Sequence, residues 1–237
     1  MMKIVKSCLV EMTLEEKVRL VGDAVGFAGL EPKEREELGR MGYGRLVDRG
    51  EFVFHEGDRA DHLHMVDRGR VKMTKARPDG RGLTAVIAVR GYTLNAVTLF
   101  GSRIRFLSAQ AMEDSLLMCL PAEHFLSFVQ RHPTVAVGII TVLAKIVESS
   151  YERMVDMVGE CVEQRLLNVL NMLRHRFGDS LCFTNTELAD MAGTTTETTI
   201  RVVSRLRELG IIDTRRGEVR ILDRSRLMEL SRGPFLI

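Results

Sequence analysis

Two side chains that can recognise DNA bases stand four positions apart near the C-terminal end of the sequence, Glu197 and Arg201. A helix would place both on one face, because positions i and i+4 are neighbours on its surface. An arginine can donate two hydrogen bonds to O6 and N7 of guanine, and a carboxylate can accept one from N4 of cytosine. The pair therefore predicts recognition of a G·C base pair, with a simple ion pair between the two residues as the alternative.

The residues around this pair carry the start and stop signals of two short helices. Thr184-Asn185-Thr186-Glu187 and Thr194-Thr195-Thr196-Glu197 both match the capping box, in which a threonine and a glutamate satisfy free amide groups. Gly193 between them permits the positive φ of a tight turn. Two short helices joined in this way are typical of the helix-turn-helix, whose second helix enters the major groove. Further candidate DNA contacts, to phosphate oxygens and with helix capping as the alternative, are Thr184, Thr195, Thr196 and Thr198.

The charge of the sequence is unevenly distributed. The formal net charge is only +2, but eight arginines and four acidic residues lie between Arg201 and Arg226. Such a local excess fits the phosphate backbone of a nucleic acid, and it would equally fit a solvated surface. A turn at Arg215-Arg216-Gly217 between apolar residues predicts a hairpin, which makes the unit a winged helix-turn-helix.

Motifs that the sequence lacks argue against several classes of protein. It has no GxSxG, Walker, HExxH or paired-cysteine motif, so we expect neither an enzyme nor a structural zinc site. Its four cysteines are scattered, and its ends have neither a signal peptide nor an apolar run that could span a membrane. We therefore expect a cytoplasmic protein with no disulfides and no membrane partner.

Between Gly44 and Leu120, short apolar runs alternate with turns such as Pro78-Asp79-Gly80, at intervals of about ten residues. The pattern predicts an antiparallel β-roll, barrel or sandwich, preceded by a helix over Glu31 to Met41. Together with the helical C-terminal unit, this predicts an α+β protein.

A long helix is predicted after Pro133, which is suited to the first turn of a helix. Beyond it, residues recur at alternating steps of three and four: Ile140, Leu143, Val147, Ser150, Met154, Met157 and Cys161. That spacing is a heptad seam, so we expect two identical chains to pair through it as a homodimer, with polar Ser150 setting the register. A single long helix packed on its own domain is the alternative.

The three segments together resemble the catabolite activator/fumarate-nitrate regulator (CRP/FNR) superfamily, in which a cyclic-nucleotide-binding-like β-roll, a dimerisation helix and a winged helix-turn-helix follow one another. The resemblance rests on residues 49–58, residues 67–72 and the stretch Thr184–Leu209, with residues 197–201 as its most specific part. It implies a DNA-binding transcription regulator, an activator or a repressor, that reads a G·C pair in each half of a palindrome and contacts RNA polymerase. Ile200 departs from the small or polar residue usual at its position.

The resemblance also divides the chain into four parts. They are an N-terminal extension (1–26), a β-roll effector domain (27–132), a dimerisation helix (133–160) and a DNA-binding domain (161–237). We expect a hinge near Val158 to Val162, about which the DNA-binding domains reorient when an effector binds. The alternative function is a regulatory cyclic-nucleotide-binding module that acts on a partner protein.

The candidate effector pocket departs from that of the nucleotide-binding members. They have a Gly-Glu-x-x-Leu-Phe segment whose acid holds a ribose hydroxyl, and Ala96 replaces that acid here. Phe106 stands where a small hydroxyl residue follows the arginine, so little besides Arg105 is left to hold a phosphate. We therefore do not expect cyclic AMP to be the effector. The candidate pocket residues are Ala96, Leu99, Phe100, Arg105, Phe106 and Ser150.

Two metal-based sensors are further alternatives. An iron-sulfur cluster needs four thiolates, and only Cys8 and Cys119 lie in the regions that would supply them, so we do not expect one. A haem that senses nitric oxide or carbon monoxide needs an axial ligand, for which the candidates are His55, His62, His64, His124 and methionines. A small organic ligand, or a thiol switch at Cys161, stays open as well.

Overall fold

The computed structural model describes residues 8–77 and 82–231. They form two compact units, one made of residues 8–77 and 85–144 and the other of residues 82–84 and 145–231. The boundary falls inside a single long helix, so its two halves are described with different units. The turn expected at Pro78-Asp79-Gly80 lies outside the described residues.

The first unit is built on two four-stranded sheets. The strands are β1 Cys8–Val10, β2 Tyr43–Val47, β3 Phe52–Phe54, β4 His62–Arg68, β5 Val71–Ala76, β6 Gly82–Ala88, β7 Ser108–Ala111 and β8 Ser115–Pro121. One sheet has the order β1-β2-β8-β4 and the other β3-β7-β5-β6, and the strand pairs whose register is defined are antiparallel. Val66, Val71 and Leu117 are fully buried in one apolar cluster. The expected β-roll is therefore confirmed.

Helices pack on a second apolar cluster of this unit. They are α1 Leu14–Asp23, α2 Pro32–Met41 and α3 Ala122–Arg131, with a 3₁₀ turn at Ala96–Leu99. The helix expected over Glu31 to Met41 is confirmed, with Glu31 as its N-cap and Pro32 in its first turn. Leu20 of α1 is buried in the same apolar cluster as Phe125 of α3, and β1 pairs with β2. The described part of segment 1–26 is thus packed into this unit.

The long helix α4 runs without interruption from Pro133 to Gly159. By length and composition it would be able to cross a membrane, which for a single helix is weak evidence. Its apolar side chains are largely exposed, among them Val137, Ile140 and Val158. Because such a surface is costly to leave in water, it calls for a covering partner.

The second unit contains α5 Val162–Phe177, α6 Asn185–Ala192, α7 Thr196–Glu208 and α8 Arg224–Leu230. Its sheet has the order β10-β11-β9, where β9 is Ser180–Leu181, β10 Ile212–Arg215 and β11 Glu218–Ile221. Leu170 of α5, Leu188 of α6 and Leu206 of α7 are buried against one another's helices in its core. The expected winged helix-turn-helix is confirmed, with β10 and β11 forming the hairpin of the wing.

Candidate functional site

The first helix of the helix-turn-helix, α6, begins with the expected capping box. The Thr184 hydroxyl accepts from the Glu187 amide at 3.2 Å, and the Glu187 carboxylate accepts from the Thr184 amide at 2.7 Å. At its end, Gly193 has φ 63°, a conformation that side chains other than glycine rarely adopt. The glycine turn therefore holds α6 and α7 in a fixed relation.

The second capping box was predicted one residue too early. The N-cap of α7 is Thr195, whose hydroxyl accepts from the Thr198 amide at 3.2 Å, so Glu197 is the second residue of the helix and Thr194 is not the cap. Three consecutive threonines all have the chemistry of a cap, and the turn length decides which one serves. Glu197 therefore lies in the first turn of α7, where a carboxylate is favoured by the helix dipole.

The exposed face of α7 carries the residues that the sequence singled out. Glu197, Ile200 and Arg201 are exposed, while Thr199 and Val203 on the opposite face are buried. The Arg201 guanidinium donates to the Thr198 hydroxyl at 3.2 Å, which steadies it on the surface. This arrangement places a carboxylate, a branched apolar side chain and a guanidinium side by side, and we call these three residues the reading face.

The four threonines that are candidate phosphate contacts differ in whether their hydroxyl proton is already donated within the protein. Thr184 donates its hydroxyl proton to Glu187 at 2.9 Å, and Thr196 donates to the Thr186 hydroxyl at 3.3 Å. The Thr195 hydroxyl donates to that of Thr198 at 3.1 Å. Thr198 accepts in both of its side-chain hydrogen bonds, so its own proton can still be donated to a phosphate oxygen. Of the four threonines, Thr198 is the best suited to that role.

The predicted seam is partly exposed and partly covered. Ile140, Val147 and Met154 are exposed, but Leu143 and Met157 are half-buried. The exposed stripe consists of Val137, Ile140, Ala144, Val147, Tyr151, Met154 and Val158, again at steps of three and four. Ser150 lies beside this stripe, and its hydroxyl donates to the Ile146 carbonyl of the same helix at 2.6 Å. A second helix on this stripe would therefore meet Tyr151 in place of Ser150.

Five of the six candidate pocket residues lie in the first unit, and they differ in burial. Ala96 is half-buried against the apolar cluster of that unit, and Leu99 is buried in it. The rings of Phe100 and Phe106 are exposed. Ser150 belongs to the second compact unit and is described with it. Within the first unit, Arg105 is the one buried charge among the candidates.

Arg105 is almost fully buried and is held by acceptors of its own fold. Its guanidinium donates to the Leu94 and Asn95 carbonyls at 3.3 Å and to the His62 carbonyl, and it lies 4.2 Å from the centre of the Phe54 ring. Burial lowers the pKa of Arg105 to about 10, against the opposing attraction of two exposed aspartates. Much of its hydrogen-bonding capacity is thus committed to the protein.

Two buried polar groups beside this arginine lack partners among the described residues. They are the side-chain amide of Asn95, which has a left-handed backbone at φ 49°, and the Nε of Arg105. An unsatisfied buried group costs about 1–3 kcal/mol, so each of these groups favours a polar partner such as a water molecule. The carboxylate that would hold a ribose is absent at half-buried Ala96, so the residues present do not fit a cyclic nucleotide well.

His64 should make the protein less stable at mildly acidic pH. Burial, with the positive charge of Arg105 as a second cause, lowers the pKa of His64 well below 6.5. Protons then bind the unfolded chain first, so the free energy of unfolding should fall by about 1.4 kcal/mol for each pH unit below 6.5. Urea unfolding between pH 7.5 and 5.5 measures this slope. His64→Gln should reduce this slope, and His124→Gln, at an exposed position of α3, should not. Equal slopes in both variants would contradict the assignment.

Three of the four histidines proposed as haem ligands make contacts within the first unit. His55 stacks on Phe52 with ring centres 4.2 Å apart, and His62 meets Tyr43 edge-on. His64 lies 3.4 Å from the Arg105 guanidinium, and His124 is exposed. Cys119 is buried, with its thiol pKa raised to about 12 by burial, while Cys8 is exposed. Within residues 8–77 and 82–231, no three His, Cys, Asp or Glu side chains are placed to hold a metal ion.

Comparison with known proteins gives two family matches. The profile of the cyclic nucleotide-binding domain matches residues 45–132, and that of the Crp-like helix-turn-helix domain matches residues 164–230. The chain is 29% identical over 208 residues to the cyclic AMP receptor protein of Thermus thermophilus, covering 87% of this chain and 96% of the relative. It is 26% identical over 202 residues to the transcriptional activator protein Anr of Pseudomonas protegens, covering 80% and 81%.

Among solved structures, similarity extends to the c-di-GMP responsive global regulator CLP of Xanthomonas campestris. The TM-score is 0.73 at 21% identity, and the match covers 81% of this chain and all of that one. At this identity the similarity establishes the fold alone. It agrees with the order of β-roll, long helix and winged helix-turn-helix seen here.

Proposed function

This chain belongs to the CRP/FNR superfamily of transcription regulators, and from that premise we propose that it is a homodimeric, effector-responsive regulator of palindromic DNA sites. Its helix-turn-helix is the DNA-binding domain of the family. The observation that carries the finer proposal is the reading face of α7, where Glu197 and Arg201 are exposed one turn apart. A carboxylate and a guanidinium at that distance suit the two bases of a G·C pair.

The direct test of this function is selection of binding sites from a pool of random duplexes, followed by gel shift of the enriched sequence. We expect a palindrome with a G·C pair in each half, and binding that weakens steeply with salt because phosphate contacts release counterions. Failure to enrich any duplex, or retention that does not respond to salt, would contradict the proposal.

The proposed dimer is formed by the exposed stripe of α4. A heptad of apolar residues on one helix is suited to a parallel pair with an identical helix. Tyr151 lies on the stripe and is 62% exposed, so its aromatic ring offers a large area for burial. Pairing through these residues also accounts for the apolar composition of α4 without a membrane.

The proposed effector is a small polar organic ligand that meets Arg105 and Asn95. The two relatives named for cyclic AMP and c-di-GMP show how varied the effectors of similar proteins are. Haem is disfavoured by the contacts of the candidate histidines. Native mass spectrometry and an absorption spectrum of the purified protein test the assignment. A Soret band, or tight calorimetric binding of cyclic AMP, would overturn it.

A second candidate function is a nucleotide-binding module that regulates a partner protein, which the match to the cyclic nucleotide-binding domain favours. If the protein is a transcription regulator, as proposed, the protein partner that its family implies is RNA polymerase. Selection of DNA sites distinguishes the two functions, because a module that regulates a partner protein would not enrich any DNA sequence.

Ile200 should add a preference for thymine. It is 46% exposed between Glu197 and Arg201, and an apolar side chain in the major groove can contact the thymine methyl. Replacing the contacted thymine by deoxyuridine should weaken binding about fourfold per half-site, since one buried methyl contributes about 0.8 kcal/mol. Fluorescence anisotropy with each thymine replaced in turn measures this. Ile200→Ser should lose the difference; an identical thymine dependence in the variant would show that another residue reads the methyl.

A further inference from the structure

Two arginines from neighbouring helices donate hydrogen bonds to the backbone carbonyls at the turn of the helix-turn-helix. Arg153 of α4 donates to the Met191 carbonyl at 3.3 Å and to the Thr84 carbonyl at 3.0 Å. Arg165 of α5 donates to the Ala192 carbonyl at 2.9 Å. Met191 and Ala192 end α6, where carbonyls lack partners within their own helix, and cationic donors are favoured there by the helix dipole.

Further contacts tie α4 to α5 across the break between them. The Asn168 amide donates to the Asp156 carboxylate at 2.8 Å, and Arg165 also donates to the Glu160 carbonyl at 2.9 Å. Met157 lies so close to the glycine turn that a Cβ on Gly193 would be 3.0 Å from its sulfur. The segment near Val158 to Val162, where the sequence predicts a hinge, is therefore bridged by side chains in this structure.

All these residues belong to the same compact unit, which includes residues 145–159 of α4. The C-terminal half of α4 and the reading face thus belong to one compact unit, in which Arg153 and Met157 both approach the turn from the long helix, Arg153 through hydrogen bonds. Burial lowers the pKa of Arg153, as expected for a guanidinium enclosed by protein. Its planar fork can serve two carbonyls at once, which a lysine ammonium on a flexible stem does less well.

We propose that Arg153 is a positioning residue that fixes the angle of the reading helix to α4 and thereby sets which half-site spacing the protein accepts. The inference rests on the proposed function, because spacing has a meaning only for a dimer that joins two reading faces through α4. Two recognition helices that enter successive major grooves of one DNA face must be about 34 Å apart. Rigid contacts between α4 and α7 would hold the two recognition helices at that distance. Looser contacts would allow other distances, and therefore other half-site spacings.

The test compares binding of wild type, Arg153→Met and Arg153→Lys to the selected palindrome and to versions with one base pair added or removed between the halves. We expect wild type to favour one spacing at least about tenfold. In Arg153→Met we expect the optimum to weaken about tenfold and the three spacings to differ by less than about threefold, with Arg153→Lys between the two. Thermal unfolding and binding to a single half-site, both expected near wild type, confirm that the variants are folded.

Exposed Arg207 on α7 provides the matched control. Arg207→Met should change binding to every spacing by the same factor, because it removes one positive charge from α7 without altering the hydrogen bonds of Arg153. An unchanged spacing profile in Arg153→Met would overturn the role of Arg153 and leave the proposed function intact. Wild-type binding that ignores spacing altogether would overturn both.

Discussion

Val147→Glu is expected to convert the dimer into a monomer and to weaken binding to the palindromic site by at least about 100-fold. Val147 is 50% exposed, and it lies on the stripe of α4 that we propose as the dimer interface. A glutamate there would bring two carboxylates together in an apolar seam, where desolvation and like-charge repulsion both oppose pairing. The loss for DNA follows because linking two reading faces raises the affinity by about 10²- to 10⁴-fold over one.

Light scattering coupled to gel filtration measures the first effect, and anisotropy with the palindrome measures the second. Lys145→Glu is the matched control, because Lys145 is exposed on the same helix but lies off the stripe. It should stay dimeric and keep its DNA affinity within about threefold. A Val147→Glu protein that remained dimeric would place the interface elsewhere and remove the role proposed for Tyr151.

The helical period of α4 could be predicted from the sequence, but its register could not. Two heptads overlap in this segment, sharing Ile140, Val147 and Met154 and differing at every second position. Periodicity alone cannot tell them apart, because apolar residues occupy most positions of both, with Ser150 as the one polar exception. The choice depends on which residues the rest of the chain covers, and the structure shows Leu143 and Met157 half-buried while Val158 is exposed.

The helix-turn-helix could be predicted more fully than the register of α4, because the sequence signals for it are local. A capping box, a glycine with positive φ and an i,i+4 pair each depend on a few neighbouring residues. The one-residue error at Thr194 arose where three threonines offer the same chemistry. The contacts of Arg153 and Arg105 had no such signal, because both side chains bind backbone carbonyls, and any residue supplies a carbonyl. The types of the residues can indicate that two side chains will pair, but they do not indicate which backbone carbonyl a side chain will bind.

Arg201→Ala should cost about 1–3 kcal/mol per half-site, roughly a 5- to 150-fold loss of affinity, and should abolish the preference for G·C at one position. The reason is that a bidentate arginine discriminates guanine from the other bases, whereas a phosphate contact strengthens binding to all sequences alike. Arg201 is exposed on the reading face, and the hydrogen bond from its guanidinium to Thr198 at 3.2 Å leaves other donors of the fork for a base.

The measurement is a set of dissociation constants for the selected palindrome and for versions with A·T at each position. Arg205→Ala is the matched control, because Arg205 lies one turn further along α7 and its guanidinium is paired with Glu163 at 2.9 Å. That variant should lose less affinity and keep the wild-type sequence preference. If Arg201→Ala weakened the G·C and A·T duplexes equally, Arg201 would be a phosphate contact, and Glu197 would be left as the polar base reader of this face.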